Sequence, residues 1–164
     1  MQNTRRSFMV VSSVAAGSAM APVSAVAQNR SSGSSDAAKA FLAAHQGTFE
    51  AGRRLGFLLP DGLAVTNDVP FPMDYSAYQD HLNFHAENWD LHEWMSQDIE
   101  IVELADGSAV VSAFYIERGK PRDAGFRLRP GFATATCVMH EGEWKALSVH
   151  FSSLRSQVLD ASPS

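Results

Sequence analysis

Thiol chemistry is almost absent from this chain. One cysteine, Cys137, among 164 residues excludes an intrachain disulfide and any metal centre built from several thiolates. Positive charge is scarce too. The 13 Lys and Arg against 18 Asp and Glu give a net charge of −5, which offers no basic footprint for nucleic acid. There is no internal repeat, so repeat architectures drop out. What is present is 45% hydrophobic residues, enough for one globular domain with a core of its own.

The first 27 residues read as an address and not as fold. Arg5-Arg6 in "NTRRSFM" precede a weakly apolar run of Ala, Ser and Val, and Ala25-Val26-Ala27 offers a small-residue cleavage site. The pattern is that of a twin-arginine export signal. The run is too short and too rich in small residues for a transmembrane helix. The mature protein is therefore expected in the periplasm, without membrane contact after cleavage. Residues 28–35, "QNRSSGSS", read as a linker, 36–154 as the domain and 155–164 as a frayed tail.

From Asp36, helical composition carries Ala37, Phe41, Ala44 and Phe49 on an apolar stripe, and Gly47 and Gly52 predict a division into two shorter helices. Pro60-Asp61-Gly62 reads as a turn and "LAVTND" as a short strand. Asp74 or Ser76 caps a helix to about Trp89, with Tyr75, Tyr78, Leu82, Ala86 and Trp89 on one stripe. His85 lies inside that stripe and His81 on its shoulder. From Leu91 the texture turns to strands rich in β-branched and aromatic residues, separated by "ADG", "GKPRD" and "HEG". Helices first and an antiparallel meander afterwards is an α+β order.

Side-chain parity assigns the faces. A three-residue loop, His140-Glu141-Gly142, pairs Cys137 with Lys145, Ala135 with Leu147 and Ala133 with Val149. It collects Ala133, Ala135, Cys137, Leu147, Val149 and Phe151 on one face, whereas a two-residue loop mixes polar and apolar groups on both. In the preceding hairpin, a loop at Ala105-Asp106-Gly107 sets Ile101 opposite Val111 and Ile99 opposite Ala113. The same ladder brings Gln97 beside Tyr115 and Met95 near Glu117, and it turns His92, Trp94 and Ser96 away from Tyr115 unless a bulge intervenes. The many small inward residues either pack beneath helix side chains or leave a cavity.

The terminal pattern, "GFATATCVMHEGEWKALSVHFS", with its x-Gly-x-Trp turn and the His-x-Ser run from Trp144 to Ser152, resembles a SnoaL-like domain of the nuclear transport factor 2-like superfamily. The resemblance spans about Asp36 to Leu154 and is strongest after residue 97. It implies an α+β cone, a curved antiparallel sheet wrapped around N-terminal helices to enclose a pocket, with the convex face forming a homodimer. It also implies cofactor-independent isomerases, cyclases, dehydratases or lyases, alongside non-catalytic association and transport domains. In kinase association domains sharing the motif, pocket arginines match Tyr115, Ala135 and Phe151 here. Their absence implies a more apolar pocket and argues against small-anion binding at those positions. By parity His150 faces the convex side.

Three readings of the histidine-rich segment "HLNFHAENWDLHEW" follow. His81 and His85 at i, i+4 could share a metal with His92, but no glutamate follows His81 as in H-E-x-x-H, so no metal is assigned. In an acid/base reading, His85 among Tyr78, Leu82 and Trp89 is the base, Tyr115 or Tyr78 the hydrogen-bond donor, and Glu117, Asp68 or Asp74 alternative bases. The walls would be Leu82, Trp89, Ile101, Ala113, Ala135, Cys137, Val149 and Phe151, with Arg127 at the rim. The expected activity is isomerase, lyase or cyclase chemistry on a hydrophobic, aromatic or cyclic small molecule, with no cofactor. The third reading is a periplasmic module that binds such a molecule without converting it, or simply dimerises.

Overall fold

Apolar spacing builds the first layer. The computed structural model describes residues 32–105 and 107–154. Helix α1 (Ser32–His45) buries Ala37, Phe41 and Ala44 along one side. It begins inside the stretch read as a linker, because Ser32 to Asp36 continue the helix. A two-residue strand, β1 (Gly47–Thr48), separates it from α2 (Ala51–Phe57), as the glycines predicted. Gly47 sits at φ 86°, a conformation glycine adopts without a side-chain penalty. The expected export signal at 1–27 and the tail at 155–164 lie outside the described residues.

β2 (Leu58–Thr66) runs straight through Pro60-Asp61-Gly62, so the expected turn is a bulge within a strand. Gly62 is the residue that fits there, since a Cβ would sit 2.9 Å from the Leu59 carbonyl oxygen. α3 (Tyr75–Asn88) is capped by Asp74, whose side chain accepts from the Ala77 N–H at 2.9 Å. It buries Tyr78 and Leu82 and half-buries His81 and His85, while Ala86, expected on the stripe, is exposed.

The long strands β3 (Trp89–Ala105), β4 (Ser108–Pro121), β5 (Arg127–His140) and β6 (Glu143–Ser153) form an antiparallel meander. The six-stranded sheet has the order β1-β3-β4-β5-β6-β2, with β2 parallel to β6. Helix α1 lies across its concave face, over the fully buried Ala109, Ala113, Ala133, Ala135 and Cys137. Those small side chains leave room for Phe41, whose burial is worth about 1.5–3 kcal/mol. No described helix is long and apolar enough to cross a membrane.

Two registers differ from parity. The last hairpin closes through a two-residue turn, with His140 opposite Glu143 and both Glu141 and Gly142 at positive φ, 51° and 83°. That is the mirror-image turn whose twist suits a hairpin. A bulge then shifts the ladder, so Cys137 faces Ala146 while Ala135 faces Val149. Ala146, not Leu147, is the buried residue, and Leu147 is exposed. The bulge resolves the mixing of faces that had argued for a longer loop.

In the β3–β4 hairpin Ile101 pairs with Val111 as expected. Between Gln97 and Glu100 the register slips by one, at Asp98, which takes φ 48°. Aspartate tolerates this left-handed backbone better than most residues. Beyond the slip, Ser96 faces Tyr115 and Trp94 faces Glu117. His92 and Trp94 therefore turn to the concave side and are buried, against the expectation for a regular ladder.

Candidate active site

That one-residue slip assembles a cavity at the end of the sheet. Its volume is about 40 Å³. Strands β3 and β4 contribute His92, Trp94, Tyr115 and Glu117, and helix α3 adds Tyr78, His81, Leu82 and His85. Phe49 and Arg54 close it from the α1–α2 side, and Phe151 and Ser153 from β6. Exposed Asn67 and Asp68, with Thr66, mark the mouth. Only Phe49, Leu82, Trp94 and Phe151 of this lining are apolar. The expected apolar pocket is a polar one, because α2 and the slipped half of β3 deliver charged and imidazole side chains.

His92 is the hub. Its Nε2 is hydrogen-bonded to Glu117 Oε1, and its ring stacks on Phe49 at 4.4 Å and on Trp89 at 4.7 Å. An ionised carboxylate only accepts, so Nε2 carries the hydrogen of this bond. Burial pushes the Glu117 carboxyl up. The hydrogen bond and charge of His92, followed by the charges of Arg54 and Arg129, outweigh it and hold the carboxyl below its ordinary value. Glu117 is thus an ionised, positioned carboxylate, with His92 engaging one of its oxygens.

Tyr115 stacks on Trp94 with ring centroids 3.7 Å apart, and its hydroxyl lies 3.4 Å from Ser153 Oγ. Burial raises its pKa, so the phenol stays protonated and able to donate. Cross-strand Gly131 makes the seat, since a Cβ there would lie 2.5 Å from the Tyr115 hydroxyl oxygen and 2.6 Å from the Ser152 carbonyl oxygen. Tyr78 is buried and pushed up to about 12, also by burial.

The two helix histidines are neutral groups. Burial lowers His85 to about 4, helped by the charges of His81 and His92 and opposed by Asp68 and Glu117. Burial likewise lowers His81. At about 4, His85 stands unprotonated at neutral pH, and basicity alone does not separate it from the Glu117 carboxylate, which is also held low. Its ring lies 4.6 Å from His81 and 5.7 Å from His92, so all three histidines of the segment do gather here. Asp68, His81 and His85 each offer a ligand atom, all within 4.8 Å of one another, and are the residues that could hold a divalent cation.

Other expected wall residues lie elsewhere. Ala113, Ala135, Cys137 and Val149 are core residues beneath α1, and Ile101 and Trp89 are half-buried outside the lining. Arg127 is exposed and away from the cavity, while Arg129 reaches the mouth, 3.6 Å from Asp68. Asp74 is spent as the α3 cap. The sequence reading does not reach Arg54, and it offers His92 only as a metal ligand. His92 was hidden by the slip at Asp98. Arg54 had a readable signal, a charge three residues before Phe57 on the buried face of an amphipathic turn.

No family model matches the chain, and no curated protein sequence matches it either. Solved structures do match. An NTF2-like protein of unknown function from Prochlorococcus superposes with a TM-score of 0.63 at 13% identity, over 77% of this chain and 96% of that one. The fold is nuclear transport factor 2-like. A ketosteroid isomerase-like protein from Erwinia carotovora gives 0.58 at 11% identity, over 76% and 92% of the two chains. A proposed scytalone dehydratase from Novosphingobium aromaticivorans gives 0.59 at 14%, over 64% and 71%. At these identities the likeness concerns the nuclear transport factor 2-like, SnoaL-like architecture, and activity has to be argued from the cavity.

Proposed function

We propose that this protein is an acid/base enzyme of the isomerase or lyase type, working without an added cofactor on a small carbonyl compound. The observation that carries the reading is the part-buried His92–Glu117 pair opening on the same cavity as the Tyr115 hydroxyl. Glu117 accepts a proton from the carbon next to the carbonyl through the carboxylate oxygen that His92 leaves unused. Tyr115 donates a hydrogen bond to the oxyanion that develops, in a site where buried donors act more strongly than in water. Glu117 then returns the proton to another carbon, or the carbanion expels a leaving group. Tyr78 and Leu82 hold the ring or chain of the substrate against α3. Solved relatives of isomerase-like and dehydratase type share the fold, which supports the reading by analogy.

Solvent exchange tests the first step without knowledge of the product. Cyclic ketones, aryl ketones and lactones incubated with the protein in deuterium oxide should exchange the proton next to the carbonyl. Glu117→Gln should slow that exchange by about 10²–10⁴-fold. If no carbonyl compound exchanges, while native mass spectrometry finds a ligand retained through purification, the protein is a binding module.

A further inference from the structure

Arg54 is 6% exposed, yet it has no ion-pair partner among the described residues. Its Nε and Nη2 atoms find no hydrogen-bond acceptor there either. Its guanidinium carbon lies 4.7 Å from the Phe49 ring centre and 4.8 Å from that of Trp94. Those rings favour a cation over their faces but take none of its in-plane N–H donors. The two acidic groups of the cavity are already engaged, Asp68 beside Arg129 at 3.6 Å and Glu117 with His92. The neighbouring Arg53 behaves differently, donating to the Thr48 carbonyl at 2.6 Å and lying 3.2 Å from Glu50. Arg53 also donates to the Ala43 carbonyl of α1 at 3.3 Å, whereas Arg54 is buried in the cavity wall without an ion pair, and the Glu117 carboxylate acts on its charge only at a distance.

A buried charge persists when something pairs with it. We propose that Arg54 anchors the carboxylate of the substrate, which makes the ligand class small aromatic or cyclic carboxylic acids. A planar fork of N–H donors matches a carboxylate with two parallel hydrogen bonds. The cavity of about 40 Å³ seats a headgroup of a few atoms, and the apolar Leu82 and Phe151 flank it for the hydrocarbon part. A dianionic phosphate fits less well, because Glu117 and Asp68 share the lining with this one arginine and no lysine. The anion site expected to be missing is thus supplied from α2 instead of from the sheet. The inference uses the cavity of the catalytic reading and adds the substrate class to it, but it does not require that reading's proton transfer.

Binding measurements separate the two. Benzoate, phenylacetate and trans-cinnamate, each against its primary amide, and inorganic phosphate would be titrated by calorimetry at pH 7. At least one acid should bind tenfold or more tightly than its amide. Arg54→Gln should reduce that ratio below threefold, and Arg54→Lys should leave an intermediate preference. Glu117→Gln should slow exchange as above yet keep the preference for the acid, so loss of the catalytic reading leaves the anchor standing. An acid-to-amide ratio below threefold for every pair in the wild type overturns the proposal, whether or not the Arg54 variants fold. So does a folded Arg54→Gln protein that retains the full preference, or phosphate binding more tightly than every acid.

Discussion

His92 and Glu117 are hydrogen-bonded to each other across β3 and β4, although a regular ladder would put them on opposite faces of the sheet. The pair exists because Asp98 absorbs one extra residue. It also sets the ionisation of Glu117. Burial is the largest influence and raises the carboxyl, whereas His92 lowers it. Replacing His92 by Phe should remove the largest lowering influence and leave the burial opposed only by Arg54 and Arg129. The acid limb of the kcat/KM profile should then move to higher pH. A limb that stays in place would remove Glu117 from the role of base.

Gly131 controls the donor. A Cβ at this position meets the Tyr115 phenol from one side and the Ser152 backbone from the other. Gly131→Ala should displace the phenol and cost about 1–3 kcal/mol of stability, as overpacking does. Exchange activity should fall with it, and Tyr115→Phe should show the same fall in kcat with little change in melting temperature. Wild-type kcat in both variants would show that the hydroxyl takes no part.

Much of the frame could be read from residues. The Asp74 cap, the division of the first helix near Gly47, the four long strands and the inward run of Ala109, Ala113, Ala133, Ala135 and Cys137 all follow from local spacing. The site was less legible, for a physical reason. Parity arguments propagate one register along a whole strand, and a bulge inverts everything beyond it. Asp98 is not a glycine and gives no warning, so His92 and Trp94 were put on the wrong face. Tyr78, Leu82 and His85 lie on a helix, where no such inversion occurs, and their place beside the cavity could be read directly.

Acid should destabilise the fold through its buried imidazoles. Burial, with the charge of Arg54, holds His45 at about 3, and His85 lies at about 4, both below the 6.5 of a free imidazole. The unfolded chain takes up these protons first. The stability that the neutral rings contribute is therefore complete above pH 6.5 and is lost as pH falls to about 4 for His85 and about 3 for His45. Two protons correspond to about 2.7 kcal/mol per pH unit in the middle of that window. His45 stacks on Phe41 at 4.6 Å and bonds its carbonyl oxygen, so Phe can fill the space. His45→Phe should flatten the slope by about 1.4 kcal/mol per pH unit in urea titrations. An unchanged slope between pH 6 and 5 would mean that His45 does not stay neutral.

The Asp68, His81 and His85 set gives the metal question a definite form. If the chemistry belongs to Glu117 and Tyr115, proton exchange should survive EDTA. Loss of exchange on chelation, restored by zinc in the wild type but not in His81→Ala, would instead move the chemistry to that set. Elemental analysis of the purified protein supplies a readout that does not depend on substrate.

The convex face carries an exposed apolar surface that a second copy can cover. Phe114 and Phe132 face each other across β4 and β5 with ring centroids 5.5 Å apart, and Phe132 is 50% exposed. Leu147, pushed outward by the β6 bulge, adds to the same side of the sheet. Apolar surface gathered on one sheet face marks an association site. We propose a homodimer through this face. Sedimentation velocity should show a dimer that Phe132→Glu converts to a monomer, with its circular dichroism unchanged. The variant should retain exchange activity, because the cavity lies on the concave side. A wild-type protein that sediments as a monomer at every concentration would leave Phe114 and Phe132 as a cross-strand pair only.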